Sequence, residues 1–447
     1  MKLSQSTTTA RRSRQGIVLF GAALLLGALA ACDSLLDVPV PSRIPAGPLE
    51  TPANAILLTN GAIGDFDCAL GSFIIVGGEL TDELEDATET AARWVYDKRV
   101  VPTDQELYAI ADCDDEGTYI PSNRARESAD NVLRLLQSTT DDQMPSGVSR
   151  DSLIATLAAY AGYARIQLGE MFCSSVISTL NPDGTITYGT ELTPQQMFQS
   201  ADSSFTLAIT TAQSSGNNQD ALEMAYIGRA RAELDQGLWD AAKADAQQIT
   251  DVNYEHVSTA SATTVRRENR VWAENNGTAI ASSVGPRYQH MTYDGVADPR
   301  VPTDSFPAPP SESGVHEWQQ LKYADVSTPI PIAKWSEAQL IIAEADVRDG
   351  DPASAITIIN ALHARAGLPA YSGATDQASV LAQVIEERSR ELFLEGQRLY
   401  DVIRNNLSLQ PAPGSPYRNG GQYGPDGSGL CLKLPDIERA NNPNLSH

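Results

Sequence analysis

Apolar residues recur at three- and four-residue spacing along most of the chain, and this periodicity predicts helices. In the first two thirds it predicts helices at 53–61, 79–86, 119–137, 151–173, 194–214, 220–236 and 239–250. The last third adds helices at 336–349 and 352–366, followed by one helical face over 381–403. Asp351 is placed to cap the start of the second of these helices, and Gly367 to end it. The pattern therefore predicts a fold dominated by α-helices.

Small residues mark one helix in the middle of the chain. Ala225, Gly228 and Ala232 follow one another at three- and four-residue spacing. Small side chains let antiparallel helices approach closely, as they do in tetratricopeptide-like helix pairs. A generic helical hairpin is the alternative interpretation.

Helical periodicity disappears over residues 254–331. Val, Thr, Ser, Asn, Pro and Gly dominate there, and six prolines fall between positions 286 and 310. Proline interrupts helices because it lacks the amide hydrogen and clashes with the preceding turn. We predict a loop-and-strand insert that covers one face of the helices, and such loops commonly carry binding sites.

The first residues predict export and lipidation. Lys2, Arg11, Arg12 and Arg14 precede an apolar run that is too short to span a membrane, which is typical of a signal peptide. Leu29–Ala30–Ala31–Cys32 resembles a bacterial lipobox, which implies removal of residues 1–31 and lipidation of Cys32. A proline-rich stretch then extends the predicted tether over 32–52.

Charge and composition exclude several classes of function. The chain has 447 residues with a net charge of -25, so it lacks the basic surface that nucleic acids require. Its five His and five Cys lack the spacings of transition-metal sites. Four cysteines remain after lipidation of the first, and they are candidate disulfide partners whose three pairings stay open: Cys68, Cys113, Cys173 and Cys431. Buried free thiols are the alternative.

Two acidic stretches are candidate cation sites. Glu79, Asp82, Glu83 and Asp86 would share one face of the predicted helix 79–86, as a solvated acidic face or, alternatively, as a structural Ca²⁺ site. Residues 112–117 begin like an EF-hand loop, but the twelfth position lacks the bidentate glutamate, so an acidic turn is favoured. We expect neither a cofactor nor a metal.

Charged residues also crowd the stretch 387–398. Close carboxylates can serve acid–base catalysis, but interleaved arginines keep them ionised and favour a structural role. The charged members of this stretch are Glu387, Arg388, Arg390, Glu391, Glu395 and Arg398. Glu386 and Arg390 are spaced for an i,i+4 ion pair. We therefore expect no enzyme.

Aromatic residues next to polar ones are the candidate ligand contacts. Sugars stack their C–H faces on aromatic rings and take hydrogen bonds from polar side chains. The candidate ligand-binding residues are Trp94, Tyr96, Lys98, Trp272, Asn275, Tyr288 and Trp318. Packing of the loops onto the helices is the alternative role for each. Trp239 and Trp335 lie in or beside helical patterns and are assigned to the core.

Three stretches of the C-terminal third carry a family resemblance. They read EAQLIIAEA at 337–345, NALHARAGLP at 360–369 and ERSRELFLEGQRLYDVIR at 387–404. Together they resemble the SusD/RagB family of outer-membrane nutrient-binding lipoproteins. His363 and Gln397 depart from the residues usual in the family, Arg and His respectively, and both fall within predicted helices.

The resemblance implies an architecture. It implies about four tetratricopeptide-like helix pairs with a loop-rich ligand-binding face. The corresponding regions are an N-terminal helical region at 53–253 and a C-terminal region at 254–447, which includes the insert at 254–331.

The resemblance also implies a function. The expected protein is a lipid-anchored, surface-exposed outer-membrane protein that binds an oligosaccharide and passes it to a SusC-like TonB-dependent transporter. Binding of a peptide is the alternative within the family, and a periplasm-facing helical scaffold is the alternative outside it.

Overall fold

The computed structural model describes residues 49–181, 183–277, 280–306 and 314–445. Glu50–His447 forms one compact unit. The predicted signal peptide, the predicted lipid anchor at Cys32 and most of the predicted tether lie outside the described residues. The predicted division at residue 253 remains a prediction about the sequence.

Helices dominate the described residues. They are α1 (Ala55–Leu80), α2 (Trp94–Asp97), α3 (Glu106–Ile110), α4 (Tyr119–Gln137), α5 (Arg150–Met171), α6 (Pro194–Ser215), α7 (Gln219–Asp235), α8 (Trp239–Ala246), α9 (Arg270–Asn276), α10 (Trp335–Arg348), α11 (Pro352–Ala366), α12 (Gln377–Glu391), α13 (Arg398–Arg404) and α14 (Asp436–Asn441). The predicted fold class, dominated by α-helices, is confirmed. The number of tetratricopeptide-like pairs remains a prediction.

Strands are short and form only two-stranded antiparallel pairs within the described residues. They are β1 (Leu84–Asp86), β2 (Ser175–Val176), β3 (Thr179–Leu180), β4 (Ile186–Thr187), β5 (Glu191–Leu192), β6 (Glu255–Val257), β7 (Ser282–Val284), β8 (Thr292–Tyr293), β9 (Val296–Ala297), β10 (Thr303–Ser305), β11 (Trp318–Gln320) and β12 (Pro331–Lys334). The pairs are β1–β7, β2–β5, β3–β4, β6–β12, β8–β9 and β10–β11.

Helix α1 corrects the two helices predicted at the start of the body. It continues without interruption to Leu80, and every residue from Phe66 to Leu80 is buried. The segment Pro52–Leu80 is long and apolar enough to cross a membrane, but 83% of its apolar window is buried inside the protein, as in a core helix. Because the second half of α1 is buried on all sides, it lacks the one-sided pattern that reveals an amphipathic helix.

Glycines in α1 give its neighbours room to approach. A side chain at Gly64 would meet the guanidinium of Arg267, and one at Gly71 would meet the stem of Arg270. Glycine weakens isolated helices, so a sequence pattern containing several of them is easily interpreted as a break. In α1 the close packing offsets that weakness.

Helices α5, α6 and α7 meet around one aromatic ring. Phe205 of α6 lies against Gly162 of α5 and Gly228 of α7, and a Cβ atom at either glycine would overlap the ring. The ring also meets Tyr163 edge to face, with a distance of 5.1 Å between the ring centroids. The small residues of α7 therefore make room for a side chain from the neighbouring helix.

The predicted continuous helical face at 381–403 is wrong, because the chain turns between α12 and α13. Leu394 and Gly396 adopt left-handed backbone angles there, with φ of 56° and 85°. Glycine takes such angles without steric cost, whereas a helix requires negative φ. Helices α10 and α11, by contrast, begin and end within a residue of their predicted bounds.

A buried network of ion pairs joins the C-terminal helices to the earlier ones. Arg404 of α13 contacts Glu344 of α10 at 3.0 Å and Asp235 of α7 at 3.5 Å. Arg388 of α12 pairs with Asp401 of α13 at 2.9 Å. Burial acts to raise the pKa of Glu344, but the guanidinium of Arg404 lowers it to about 2. This carboxylate therefore stays charged inside the protein, held by its partners.

Two disulfides settle the pairing that the sequence left open. Cys68 of α1 is bonded to Cys113, and Cys173 is bonded to Cys431. The second bond spans 258 residues of sequence. It ties the segment that follows α5 to the segment that precedes α14.

We predict that Gly228→Ala lowers the free energy of unfolding by about 1–3 kcal/mol, because the added methyl group overpacks the space filled by Phe205. Gly61→Ala is the matched control, since Gly61 lies on an exposed part of α1 with open space around it. Alanine favours a helix over glycine, so the control should be neutral or slightly stabilising. Urea denaturation measures both. Equal effects of the two substitutions would contradict the packing role of Gly228.

Candidate ligand-binding site

The two predicted ligand-binding stretches meet at the β1–β7 pair. Strand β1 precedes the turn that leads to α2, and β7 follows α9. The backbone amide of Ala87, just past β1, donates to the carbonyl of Ala281 at 2.9 Å. Segments that lie almost two hundred residues apart in sequence are thereby brought side by side.

Asn275 holds this junction together from inside. Its amide nitrogen donates to the carbonyls of Ser282 and Trp318, at 2.8 and 3.0 Å, and its carbonyl oxygen accepts from the backbone of Gln320 at 2.6 Å. The side chain is fully buried. Asn275 thus positions Trp318 from below and does not itself face solvent.

The three predicted tryptophans are half-buried around this junction. Trp94 donates its indole hydrogen to the carbonyl of Thr88 at 3.0 Å. Trp318 meets the ring of exposed His290 edge to face, with 4.6 Å between the ring centroids. Trp272 is the third residue of α9. Its backbone amide donates to the side-chain oxygen of Asn269, which caps the helix, at 3.0 Å. The Arg93–Glu274 ion pair and the Asn275–Trp318 hydrogen bond link the segments that carry these rings, and we call Trp94, Trp272 and Trp318 the tryptophan face.

The two predicted tyrosines lie in the core. Tyr96 is fully buried, and its hydroxyl donates to the carbonyl of Glu116 at 3.4 Å. Tyr288 is also fully buried and stacks on Phe393, with 4.9 Å between the ring centroids. Asn275 is fully buried as well, and we call these three residues the floor of the candidate site.

Lys98 lies near two aromatic residues that the sequence did not suggest as ligand contacts. Its Nζ lies 5.8 Å from the ring of Tyr417, and that ring meets Tyr423 edge to face at 5.3 Å. The hydroxyl of Tyr417 donates to Asp97 at 3.1 Å. Residues 411–425, which we call the tyrosine loop, thus close over α2. Their Pro, Gly, Asn and Tyr composition is the signal that could have drawn attention to them.

The acidic stretch 79–86 is neither a single helix nor a solvated face, which corrects both parts of that prediction. Glu79 lies at the end of α1 and Asp86 in β1, and both are fully buried. Asp82 pairs with Arg398 at 2.8 Å, and Glu83 accepts from the backbone of Leu394 at 3.1 Å. These carboxylates connect the start of the body to the turn between α12 and α13.

One guanidinium, that of the residue preceding Trp94, lies among four carboxylates. Arg93 lies 3.5 Å from Glu79, 3.2 Å from Asp86 and 3.2 Å from Glu274, and it also contacts Glu116. Glu274 is shared with a second cation, Arg270 of the same helix. Buried carboxylates therefore outnumber the cations here, and protonation relieves the excess negative charge.

Two of these glutamates, Glu79 and Glu116, have raised pKa values because of their burial and this excess negative charge. Burial raises the pKa of Glu79 well above its usual value, and the neighbouring Glu116 raises it further. Burial likewise raises the pKa of Glu116 to about 8, against the opposing attraction of Arg93. At neutral pH this pair holds protons that exposed glutamates would have lost.

Residues 112–117 form a tight turn. The amide of Gly117 donates to the carbonyl of Asp112 at 3.0 Å, and Glu116 takes a left-handed φ of 61°. The carboxylate of Asp112 pairs with Arg124 at 2.8 Å. Within the described residues, the one close group of three potential metal ligands is Cys68, Asp112 and Cys113, and its two cysteines are consumed by the disulfide.

The charged stretch 387–398 serves packing. Glu387 lies between Arg300 at 2.6 Å and the imidazole of His363 at 2.9 Å. Glu395 accepts from Lys322 at 2.5 Å and from Lys334 at 2.6 Å. The predicted i,i+4 pair of Glu386 and Arg390 is confirmed, with a separation of 2.8 Å.

The two departures from the family pattern are accommodated in this packing. Fully buried His363 also contacts the carbonyl of Pro369 at 2.7 Å, in the loop that follows α11, and its contact with Glu387 joins α11 to α12. Gln397 accepts from the guanidinium of Arg388 at 3.0 Å. Both residues therefore make polar contacts that hold helices together.

Known proteins share this fold. A SusD superfamily protein from Bacteroides thetaiotaomicron matches with a TM-score of 0.69 at 14% identity, covering 89% of this chain and 99% of that one. A SusD-like carbohydrate-binding protein from Bacteroides vulgatus matches with a TM-score of 0.67 at 16% identity, covering 88% and 97%. Another SusD-like carbohydrate-binding protein, from Bacteroides fragilis, matches with a TM-score of 0.61 at 15% identity, covering 88% and 98%.

Sequence comparison points the same way. Residues 261–426 match the model of the SusD family. Curated proteins give no match to the chain. The resemblance to the SusD/RagB family that the C-terminal motifs indicate is confirmed by this match and by the shared fold.

We predict that Glu116→Gln becomes progressively more stable than the wild type as the pH rises from about 4.5 to 8. A glutamate whose folded pKa exceeds its unfolded pKa of 4.5 stabilises the protein while it is protonated, and that stability is lost as pH rises toward about 8. The neutral amide of glutamine loses nothing over this range. The difference should grow by on the order of 1 kcal/mol per pH unit.

Urea denaturation at a series of pH values measures this difference. Glu89→Gln is the control, because Glu89 is an exposed residue on the nearby loop, and it should give a flat profile. A flat profile for Glu116→Gln as well would contradict a proton held at this site.

Proposed function

We propose that the protein is a non-catalytic, surface-exposed nutrient-binding lipoprotein of the outer membrane. It captures an oligosaccharide and hands it to a SusC-like TonB-dependent transporter. The observation that carries this proposal is the tryptophan face, whose half-buried indole rings lie on segments that meet at the β1–β7 pair, in a chain whose residues 261–426 match the SusD family. Two proteins of the same fold are themselves described as carbohydrate-binding.

The geometry supports stacking against sugar rings. A half-buried tryptophan keeps one part of its ring fixed in the protein and leaves another part available for contact. Trp318 is fixed through the backbone contacts to Asn275 and to the hydroxyl of Ser283, which accepts from its amide at 3.0 Å. A fixed ring costs little conformational entropy on binding, which favours affinity.

Charge supports a neutral ligand and a role without catalysis. The net charge of -25 disfavours the approach of an anionic glycan. The carboxylates nearest the tryptophan face are buried, and Arg93 engages each of them. Catalytic carboxylates need access to the substrate, whereas these four support the floor of the site.

We predict that Trp318→Ala weakens binding of the cognate oligosaccharide by at least about tenfold, because aromatic anchors at the centre of a binding surface carry much of its affinity. Trp239→Ala is the matched control, since that half-buried ring stacks on Arg348 at 4.4 Å outside the site. Isothermal titration against neutral oligosaccharides and peptides measures both. Binding of peptides alone, or equal losses in the two variants, would contradict glycan capture at the tryptophan face.

We also predict that Cys32→Ser abolishes incorporation of a labelled fatty acid and removes the protein from the outer-membrane fraction. The thiol of Cys32 is the predicted attachment point, and several acyl chains are what make such anchoring stable. Ser34→Ala is the control. Label retained in Cys32→Ser would contradict the anchor, and survival of the anchored protein during protease shaving of intact cells would favour the periplasm-facing scaffold.

The transporter partner is tested by co-purification. A SusC-like barrel encoded near this chain should co-purify with the anchored protein in mild detergent, and Trp318→Ala should leave that association unchanged. Separation of the two proteins under these conditions would contradict the hand-over while leaving glycan binding intact.

A further inference from the structure

A cavity of about 300 Å³ lies beside the first turns of α4. Its walls come from the first two turns of α4, from the end of β2 and the residues just after it, and from α14. Tyr119, Ile120 and Val176 supply carbon surface, and charged side chains surround them. Neither the tryptophan face nor the tyrosine loop contributes to these walls.

Both disulfides brace this cavity. Cys113 precedes α4 by a short turn, and next to it Asp112 pairs with Arg124 of the cavity wall at 2.8 Å. Cys173 follows Phe172, whose ring meets the wall residue Tyr119 edge to face with 5.3 Å between centroids. Its partner Cys431 fixes the segment leading into α14. Walls held in this way are preorganised, which lowers the entropic cost of binding.

Charges on the walls balance. Arg126 contacts Glu127 at 2.8 Å and Asp130 at 3.1 Å, so its charge is matched within α4. Glu438 of α14 accepts from the side chain of Asn442 at 3.2 Å. Two arginines and two glutamates line the cavity, although acidic residues far outnumber basic ones in the chain. An anion or a cation would therefore meet its own sign on one wall, whereas a neutral ligand would not.

The same walls combine carbon surface with hydrogen-bonding groups. Burial raises the pKa of Tyr119, and the carboxylate of Glu438 raises it further, so the hydroxyl remains a donor. Asn123 and Ser178 add polar groups at the edge. A sugar ring offers C–H faces to carbon surface, while each of its hydroxyls both donates and accepts. The volume falls at the lower end of ligand pockets, which suits one ring better than a chain.

We propose that this cavity is a second binding site, which takes a single neutral sugar ring. It is separate from the tryptophan face, and its occupancy does not depend on glycan capture there. The protein would then hold a monosaccharide unit at a rigid site braced by both disulfides.

The test fills the cavity and measures binding of defined probes. The probes are methyl α-D-glucopyranoside, methyl β-D-galactopyranoside and methyl α-D-mannopyranoside, added to the full mature chain and followed by saturation-transfer difference NMR. At least one should bind saturably. Ile120→Trp, which places an indole in the cavity, should weaken that binding by at least about tenfold.

Two controls separate this site from the rest of the surface. Leu238→Trp adds the same ring at an exposed leucine between α7 and α8 and should leave binding unchanged. Trp318→Ala should also leave it unchanged. Should Ile120→Trp fail to fold, as judged by thermal unfolding, Asn123→Leu removes a polar wall group instead and should weaken binding.

Several results would overturn the proposal. One is the absence of saturable binding by all three probes, and another is binding that survives in a folded Ile120→Trp variant. Stronger binding of D-glucuronate or D-glucosamine would exclude a neutral site. Loss of probe binding in Trp318→Ala would show that the probe binds at the tryptophan face. That result would refute the second site and leave the proposed glycan capture standing.

Discussion

Buried charges have to be paired with opposite charges inside the protein, and this requirement fixes how the C-terminal helices pack against the earlier ones. Arg404 lies between Glu344 and Asp235, so that α13, α10 and α7 share one set of ion pairs. Arg231 of α7 adds a second connection, with 2.6 Å to Glu337 at the start of α10. A shift of either group of helices would leave a buried charge unpaired, which costs far more free energy than the loss of an exposed ion pair. The loops that carry the candidate site rest on helices held in this way.

Around Arg93 the requirement to balance buried charges is met differently. Four carboxylates share Arg93, and protons on the innermost glutamates supply the compensation that the cations do not. Asn275, next to Glu274 of this cluster, donates its amide hydrogen to the backbone carbonyl of Trp318. The site is therefore built from the inside outward. Paired charges fix the floor, an amide joins the loops, and the rings that remain at the surface are the last layer.

The sequence predicted the elements whose ends carry local signals. Asp351 and Gly367 bound α11 in the structure as the sequence suggested, because caps act within one turn of the helix. Helix α1 was missed because burial on every side erases its periodicity. The sequence pattern does not reveal the burial of Glu79, because that burial depends on Arg93 and Glu116, which come close to it only after folding. Tyr417 was missed for the same reason, since its partner Asp97 lies far away in sequence.

The disulfide between Cys173 and Cys431 has a consequence for a chain that has been cut. The proposed location at the cell surface would expose the protein to proteases, and the tyrosine loop lies between these two cysteines in sequence. After a single cleavage in that loop, the fragment carrying Cys431 remains covalently attached to the fragment carrying Cys173. A nicked molecule would thus keep its C-terminal segment in place and would separate into two pieces only after reduction.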